Sequence, residues 1–299
     1  MKTFLPRIAA LLLVALGGSC DNSFSPKAPF HPELVVFSIL DKGAPMQVVR
    51  LGTTYDSTIG GGSSSHDVTQ ADVAVIGGGR TVTFQDTLLT DASGVSYRAW
   101  ISRSLVINEE QTYTLRVRVT GFPEASSTIR IPGKLFVRGD LIGKADSVQL
   151  LKVYPSQSSS KVLPEGMLYR VWVTLRHRIG GPLERREVPI NFDTTAMSET
   201  FPSPSKNREL LIDVKNVERT RKLLLGEDTT IAEINLLLKS YSMDKQFYTY
   251  YKIVRGFDDP VSIRLDSPDI SFIENGRGVF GASIPDSMSY NYKLFFHIK

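Results

Sequence analysis

The chain has 299 residues, 41% hydrophobic and 22% charged, which excludes a disordered polymer and admits one or two folded domains. Its formal net charge is +4, and its single cysteine excludes an internal disulfide framework. A chain of this length can bury a core without one.

The first twenty residues carry an address. Lys2 and Arg7 form a positive head, Ile8 to Leu16 (IAALLLVAL) is an unbroken apolar run, Gly17-Gly18-Ser19 are small, and Cys20 follows directly. That is the order of a secretory signal peptide. The apolar run is about half the ~20 residues that a membrane-spanning helix needs. A lone cysteine at such a boundary resembles the bacterial lipoprotein signal, in which the cysteine is acylated and becomes the mature N-terminus. The Leu that usually stands three positions before it is Gly17 here, with Leu16 one residue further back. The alternative is an unmodified thiol behind an ordinary signal peptide. The expected arrangement is a signal over 1–19, then lipidated Cys20 and a Ser/Pro-rich tether to residue 32. Fully stretched, the tether would reach roughly 40 Å.

Short β-signals follow. Leu34 to Leu40 ends at the turn Asp41-Lys42-Gly43, and Met46 to Leu51 is a second strand. Thr58 to His66 (TIGGGSSSH) reads as a loop. Ala71 to Ile76 and Thr81 to Phe84 flank Gly77-Gly78-Gly79 as a hairpin, and Asp91 to Gly94 turns into Val95 to Ile101. In Thr112 to Thr120 (TYTLRVRVT), Tyr113, Leu115, Val117 and Val119 share one face and Thr114, Arg116, Arg118 and Thr120 the other. This rhythm predicts an Ig-like or transthyretin-like sandwich over 33–132.

The second half, 133–299, opens with strands at Lys134 to Leu141 and Ser147 to Tyr154. Leu168 to Arg178 (LYRVWVTLRHR) and Leu210 to Val214 are further strands, with loops at Ser156 to Lys161 and Thr200 to Asn207. Ile231 to Leu238 fits helix or strand, and strand is the expectation. One clear helix is predicted near 242–255, capped by Ser242 and ended by Gly256, with Phe247, Tyr250, Tyr251 and Val254 on one face. That aromatic stripe is a ligand surface or the packing face of a helix laid on a sheet. The fold class is mainly β, a sandwich followed by a second β-rich domain.

Charge is uneven. Residues 113–187 hold 13 Lys and Arg against 6 Asp and Glu, net +7, whereas 21–112 sum to −4 and 188–299 to −1. The basic middle, Arg176 and Arg178 included, would suit an acidic partner or anionic headgroups, or is a solvated strand face. No nucleic-acid motif is visible.

Motifs that would carry chemistry fail on inspection. Asp72 to Gly79 (DVAVIGGG) opens like a dinucleotide site, but the third glycine position is Val82 and the following residues are β-type. Arg138-Gly139-Asp140 spells an integrin-binding tripeptide in a strand-to-turn passage. His31, His66, His177 and His297 have no metal-ligand spacing, and Asp86, Asp91, Asp258 and Asp259 lack that of a calcium loop. The expectation is therefore a protein that is not an enzyme and uses no cofactor or metal. Gly276, Arg277 and Gly278 need backbone freedom, either for a loop at a partner interface or for a tight turn between core strands.

Several pieces line up: Cys20, the Glu33 to Val36 strand, the Ala71 to Val75, Asp91 to Val95 and Gln111 to Val117 segments, and a C-terminal pair. That pair is Ser242 to Tyr251 (SMDKQFYTYY) followed by Ile273 to Ala282 (IENGRGVFGA). This order resembles the Bacteroidota outer-membrane lipoprotein family called domain of unknown function 4249. The resemblance implies a lipid-anchored envelope protein without assigned activity, encoded beside TonB-dependent receptors. Asp21 is similar to the acidic start that favours surface display in that phylum. The expected function is an accessory or binding subunit of an outer-membrane transport complex. Its partners would be the membrane, through the anchor, and a receptor protein. The alternative is a stand-alone surface module that binds carbohydrate or peptide.

Overall fold

The computed structural model describes residues 31–54, 68–91, 93–142, 150–155, 161–177, 183–188, 210–225, 231–254 and 271–291. Cys20, the tether up to residue 30, the loops expected at 58–66 and 200–207, Arg178 and Gly256 lie outside the described residues.

The unit Glu33–Lys299 is organised by an eight-stranded sheet. Its order is β12 (Leu183–Glu187), β11 (Gly166–His177), β14 (Ile231–Met243), β15 (Arg277–Asn291), β1 (Leu34–Asp41), β2 (Gln47–Thr53), β6 (Ser96–Ser102) and β5 (Gln85–Thr90). Two smaller sheets accompany it. One has the order β4 (Arg80–Thr83), β3 (Asp72–Gly77), β7 (Thr112–Arg118), β8 (Ala125–Arg130); the other is β13 (Leu210–Asp213), β10 (Leu150–Pro155), β9 (Val137–Ile142).

Period-two alternation decides which face each strand buries. In β7, Tyr113, Leu115 and Val117 are buried, as their spacing predicts, and meet Leu34, Val36 and Trp100 of the large sheet. The Tyr113 hydroxyl is not orphaned there: it donates to Val106 O (3.1 Å) and accepts from Asn108 N (2.9 Å). A second core joins Val171 and Val173 of β11 and Leu236 and Leu238 of β14 to Val153, Ile212 and Val137 of the three-stranded sheet. Along β15, Phe280, Ala282 and Ile284 enter the first core and Tyr290, of the same parity, packs against the second. Both smaller sheets therefore cover the same face of the large one, and its opposite, outer face carries the odd-numbered residues of β1 and β15.

β15 joins the two halves. Its residues Arg277–Ser283 pair parallel with Val35–Asp41, and Ser283–Asn291 pair antiparallel with Met243–Asn235. A β-sandwich is present, but it is not confined to the first half of the chain: one of its strands comes from the far end, and Ile273 and Phe280 sit in its core. The boundary expected at 132/133 is thus bridged by backbone hydrogen bonds. The segment before β15 adds to this, since Ser126 N donates to Glu274 O (3.2 Å) and Glu274 N to Ser126 O (2.8 Å).

Three local expectations are revised. The strand expected through Val214 ends at Asp213, and a helix, α1 (Val214–Leu225), follows; Val217 and Leu224, seven apart, face the second core. β5, β8 and β12 are strands with no counterpart among the expected elements. The aromatic helix, α2 (Lys245–Val254), starts after Asp244 rather than at Ser242. Ser242 and Met243 still pair with Ile284 and Ser283, so β14 has not yet ended there. The hairpin at Gly78-Gly79 (φ 58° and 74°) joins β3 to β4 as its glycines predict.

Candidate functional site

α2 runs from the end of β14 onto the outer face. Asp244 caps it, accepting from Gln246 N (3.0 Å) and Phe247 N (3.2 Å). The same carboxylate accepts from Ala282 N of β15 (2.7 Å). Phe247 then lies over Gly281, where a Cβ would fall 2.6 Å from the Phe247 Cβ, so only glycine admits the helix at this depth. Tyr250 packs on Phe37 with ring centroids 5.8 Å apart, and Phe247 meets Tyr251 edge-on at 5.9 Å. Phe247, Tyr250 and Tyr251 are all buried, so the stripe is a packing face.

It is also one wall of a cavity of about 290 Å³. The cavity spans the outer face from β2 across β1, β15 and β14 to β11. Its walls are mostly apolar: Phe37 and Ile39 of β1, Val48 of β2, Leu168 of β11, and Phe247 and Tyr251 of α2.

Its polar groups are few and their partners are specific. Lys42 beside Asp41 is turned to Glu109, and Arg50 stacks over the Tyr97 ring at 4.2 Å. Arg170 forms a two-pronged pair with Glu187, Nε to Oε1 at 3.0 Å and Nη2 to Oε2 at 2.8 Å. It also covers the Trp172 ring together with Arg185 and Lys239, at 5.3, 5.9 and 5.7 Å. Asp41 differs from these cations. Its Oδ1 accepts from Gly43 N (2.7 Å), and no cation pairs with it among the described residues. Burial pushes its carboxyl above the ordinary range, against the N–H groups of Gly43 and Ala44 that draw it down. Burial raises the Tyr241 phenol too; Arg170 opposes that and Asp41 adds to it.

The residues singled out in the sequence lie elsewhere. Gly278 (φ 111°) sits where a Cβ would overlap the Val36 carbonyl, and a Cβ on Gly276 would fall 2.8 Å from Leu34 O; both serve the β1–β15 seam. Arg277 pairs with Glu33. Arg176 is exposed on β11 beside Glu233, near the end of β14 that pairs with Asn291. The glycine segment lies at the start of β15, whereas Arg176 lies on β11 toward the other end of the β14–β15 ladder. Several basic residues of the middle have local acidic partners: Arg116 and Arg118 share Glu124, and Lys134 pairs with Asp286 at 2.9 Å. Arg138-Gly139-Asp140 is interior to β9, with Asp140 accepting from the Tyr154 hydroxyl at 2.7 Å. Asp91 holds its own turn through Ser93 and Val95 N–H groups, both at 2.9 Å.

The family model described as "Domain of unknown function (DUF4249)" matches residues 21–288. The chain belongs to the DUF4249 family. No curated protein matches this DUF4249 chain. Among solved structures it is similar to the FN1-FN3 domains of chicken CNTN1, at 10% identity and a TM-score of 0.18, over 85% of this chain and 65% of that one, which is under two thirds of its length. It is also similar to a putative carbohydrate binding protein from Bacteroides uniformis, at 11% identity and a TM-score of 0.17, over 70% of this chain and 88% of that one. At such scores the function of this DUF4249 chain has to be argued from its own residues.

Proposed function

We propose that this DUF4249 chain is a non-enzymatic cell-envelope lipoprotein, held on the outer membrane by acylated Cys20, that acts as an accessory or binding subunit of a TonB-dependent transport complex. The observation that carries the reading is the position of Cys20, the one cysteine of the chain, directly after an apolar run and three small residues. Anchoring confines protein and receptor to one membrane, which raises their effective concentration so that a modest interface suffices. A second reading, a stand-alone surface module for carbohydrate or peptide, is favoured by the cavity beneath α2, which has the concave, largely apolar form of a ligand site.

Two measurements test the first reading. Cys20→Ala should abolish incorporation of a labelled fatty acid; equal labelling of the variant would end the lipoprotein assignment. A tagged full chain recovered from gently solubilised envelopes should enrich an outer-membrane protein. If none is enriched, the accessory role fails and the stand-alone module takes its place. The surface to vary is Arg176, exposed on β11, because Gly276 and Gly278 cannot be changed without disturbing the sheet.

A further inference from the structure

Three polar groups on the outer face have hydrogen-bonding capacity that nothing in the described chain uses. Asp41 and Ser283 are register partners on β1 and β15, so they stand side by side about 4.8 Å apart between strands. Tyr241 pairs with Pro285, one step further along the same face of β14, diagonal to Ser283. All three line the cavity. The Asp41 carboxylate is met only by the N–H groups of Gly43 and Ala44, which leaves it acceptor capacity, and no cation pairs with it among the described residues. The hydroxyls of Ser283 and Tyr241 make no hydrogen bond among the described residues, and neither is sealed away from solvent. The two arginines that line the cavity have their own partners, Arg50 over Tyr97 and Arg170 with Glu187, and Lys42 next to Asp41 pairs with Glu109.

A half-buried carboxylate without a counter-charge, in a largely apolar cavity, is unfavourable unless something supplies the charge. The surroundings select the kind of charge. The Asp41 carboxylate and the Ser283 and Tyr241 hydroxyls offer the cavity three acceptors, which matches the three N–H donors of a primary ammonium. The aromatic rings of Phe37, Phe247 and Tyr251 nearby favour a cation and an apolar body together. A sugar, with hydroxyls around its whole rim, would leave most of them facing apolar walls.

We infer that the cavity between α2 and the large sheet binds a primary ammonium carried on an apolar or aromatic body, with Asp41, Ser283 and Tyr241 as the ammonium cradle. This adds a ligand class to the binding function proposed above. The ammonium could belong to a free amine or to the N-terminus of a peptide.

The test is calorimetric titration of the full chain with 2-phenylethylamine and with phenylalaninamide, set against 2-phenylethanol and N-acetylphenylalaninamide. Both ammonium probes should bind and the two neutral analogues should bind at least about tenfold more weakly, the size of a lost charge-assisted hydrogen bond. The tighter of the two ammonium probes identifies the source, free amine or peptide. Asp41→Asn retains the acceptor for Gly43 N and should weaken the better probe by about tenfold or more; Tyr241→Phe should weaken it less. Equal binding of the alcohol, no binding of either ammonium probe, or unchanged affinity in a folded Asp41→Asn variant would each overturn the inference. None of these results alters the co-purification outcome, so the site and the accessory role fail separately.

Discussion

Asp244 and Ala282 are joined twice: Asp244 N donates to Ala282 O (3.2 Å), and Ala282 N donates to Asp244 Oδ1 (2.7 Å). The first bond continues the β14–β15 ladder past its last pair, Met243 and Ser283. The second uses the carboxylate that also caps α2, so one side chain ends a strand, starts a helix and holds that helix to the neighbouring strand.

Replacement of that side chain is the first prediction. Asp244→Ala leaves the N–H groups of Gln246, Phe247 and Ala282 without their acceptor at a buried position. A lost cap together with a buried donor left unsatisfied should cost about 2–4 kcal/mol in urea unfolding at pH 5. A loss under about 1 kcal/mol, the low end for a peptide cap, would show that α2 is held by its aromatic face alone.

The same carboxyl should make stability depend on pH. Burial pushes Asp244 up to about 6, against the backbone N–H donors that draw it down, while its unfolded value is 3.8. Because the folded value is the higher, the protonated form favours folding. That contribution is complete below the unfolded value and is lost as pH rises through the folded one. The span corresponds to about 3 kcal/mol. The stability of the native chain minus that of Asp244→Asn should therefore fall between pH 4 and pH 7.5. A difference that is flat or rises with pH would refute it.

Gly278 gives a third prediction. At φ 111°, with the Val36 carbonyl where a Cβ would go, Gly278→Ala must both strain the backbone and push β1 from β15. The expected cost is about 3 kcal/mol or more, seen as a lower urea midpoint. An unchanged midpoint would mean that the parallel seam can shift freely.

Much of the fold is legible in the residues because strand alternation is a local property. Tyr113, Leu115 and Val117 declare their buried face without reference to any partner, whereas Ile231 to Leu238 fits helix or strand and its buried Leu236 and Leu238 follow from its place in the sheet. Helix α1 was less legible: Val217 and Leu224 carry a helical spacing, but Leu210 to Val214 in front of them reads as strand. The candidate site was least legible. Asp41 reads as the first residue of a turn, Ser283 and Tyr241 fall in none of the expected elements, and 242 positions separate Asp41 from its register partner Ser283, a spacing that no motif records.

By itself the sequence set out the order of positive head, apolar run and Cys20 on which the proposed address rests, and it determined the β character of the body, because both depend on neighbours a few residues apart. It also determined that an aromatic helix follows β14, from the spacing of Phe247, Tyr250 and Tyr251. Only the tertiary structure decided that β15 lies parallel to β1 and carries both halves in one sheet, since a parallel pairing between the two ends of the chain depends on the energy of the whole assembly. That pairing puts Ser283 beside Asp41 and, through β14, brings Tyr241 to the same face. The cavity follows from strand order and register, which are long-range quantities, and so it became visible only once the two ends had met.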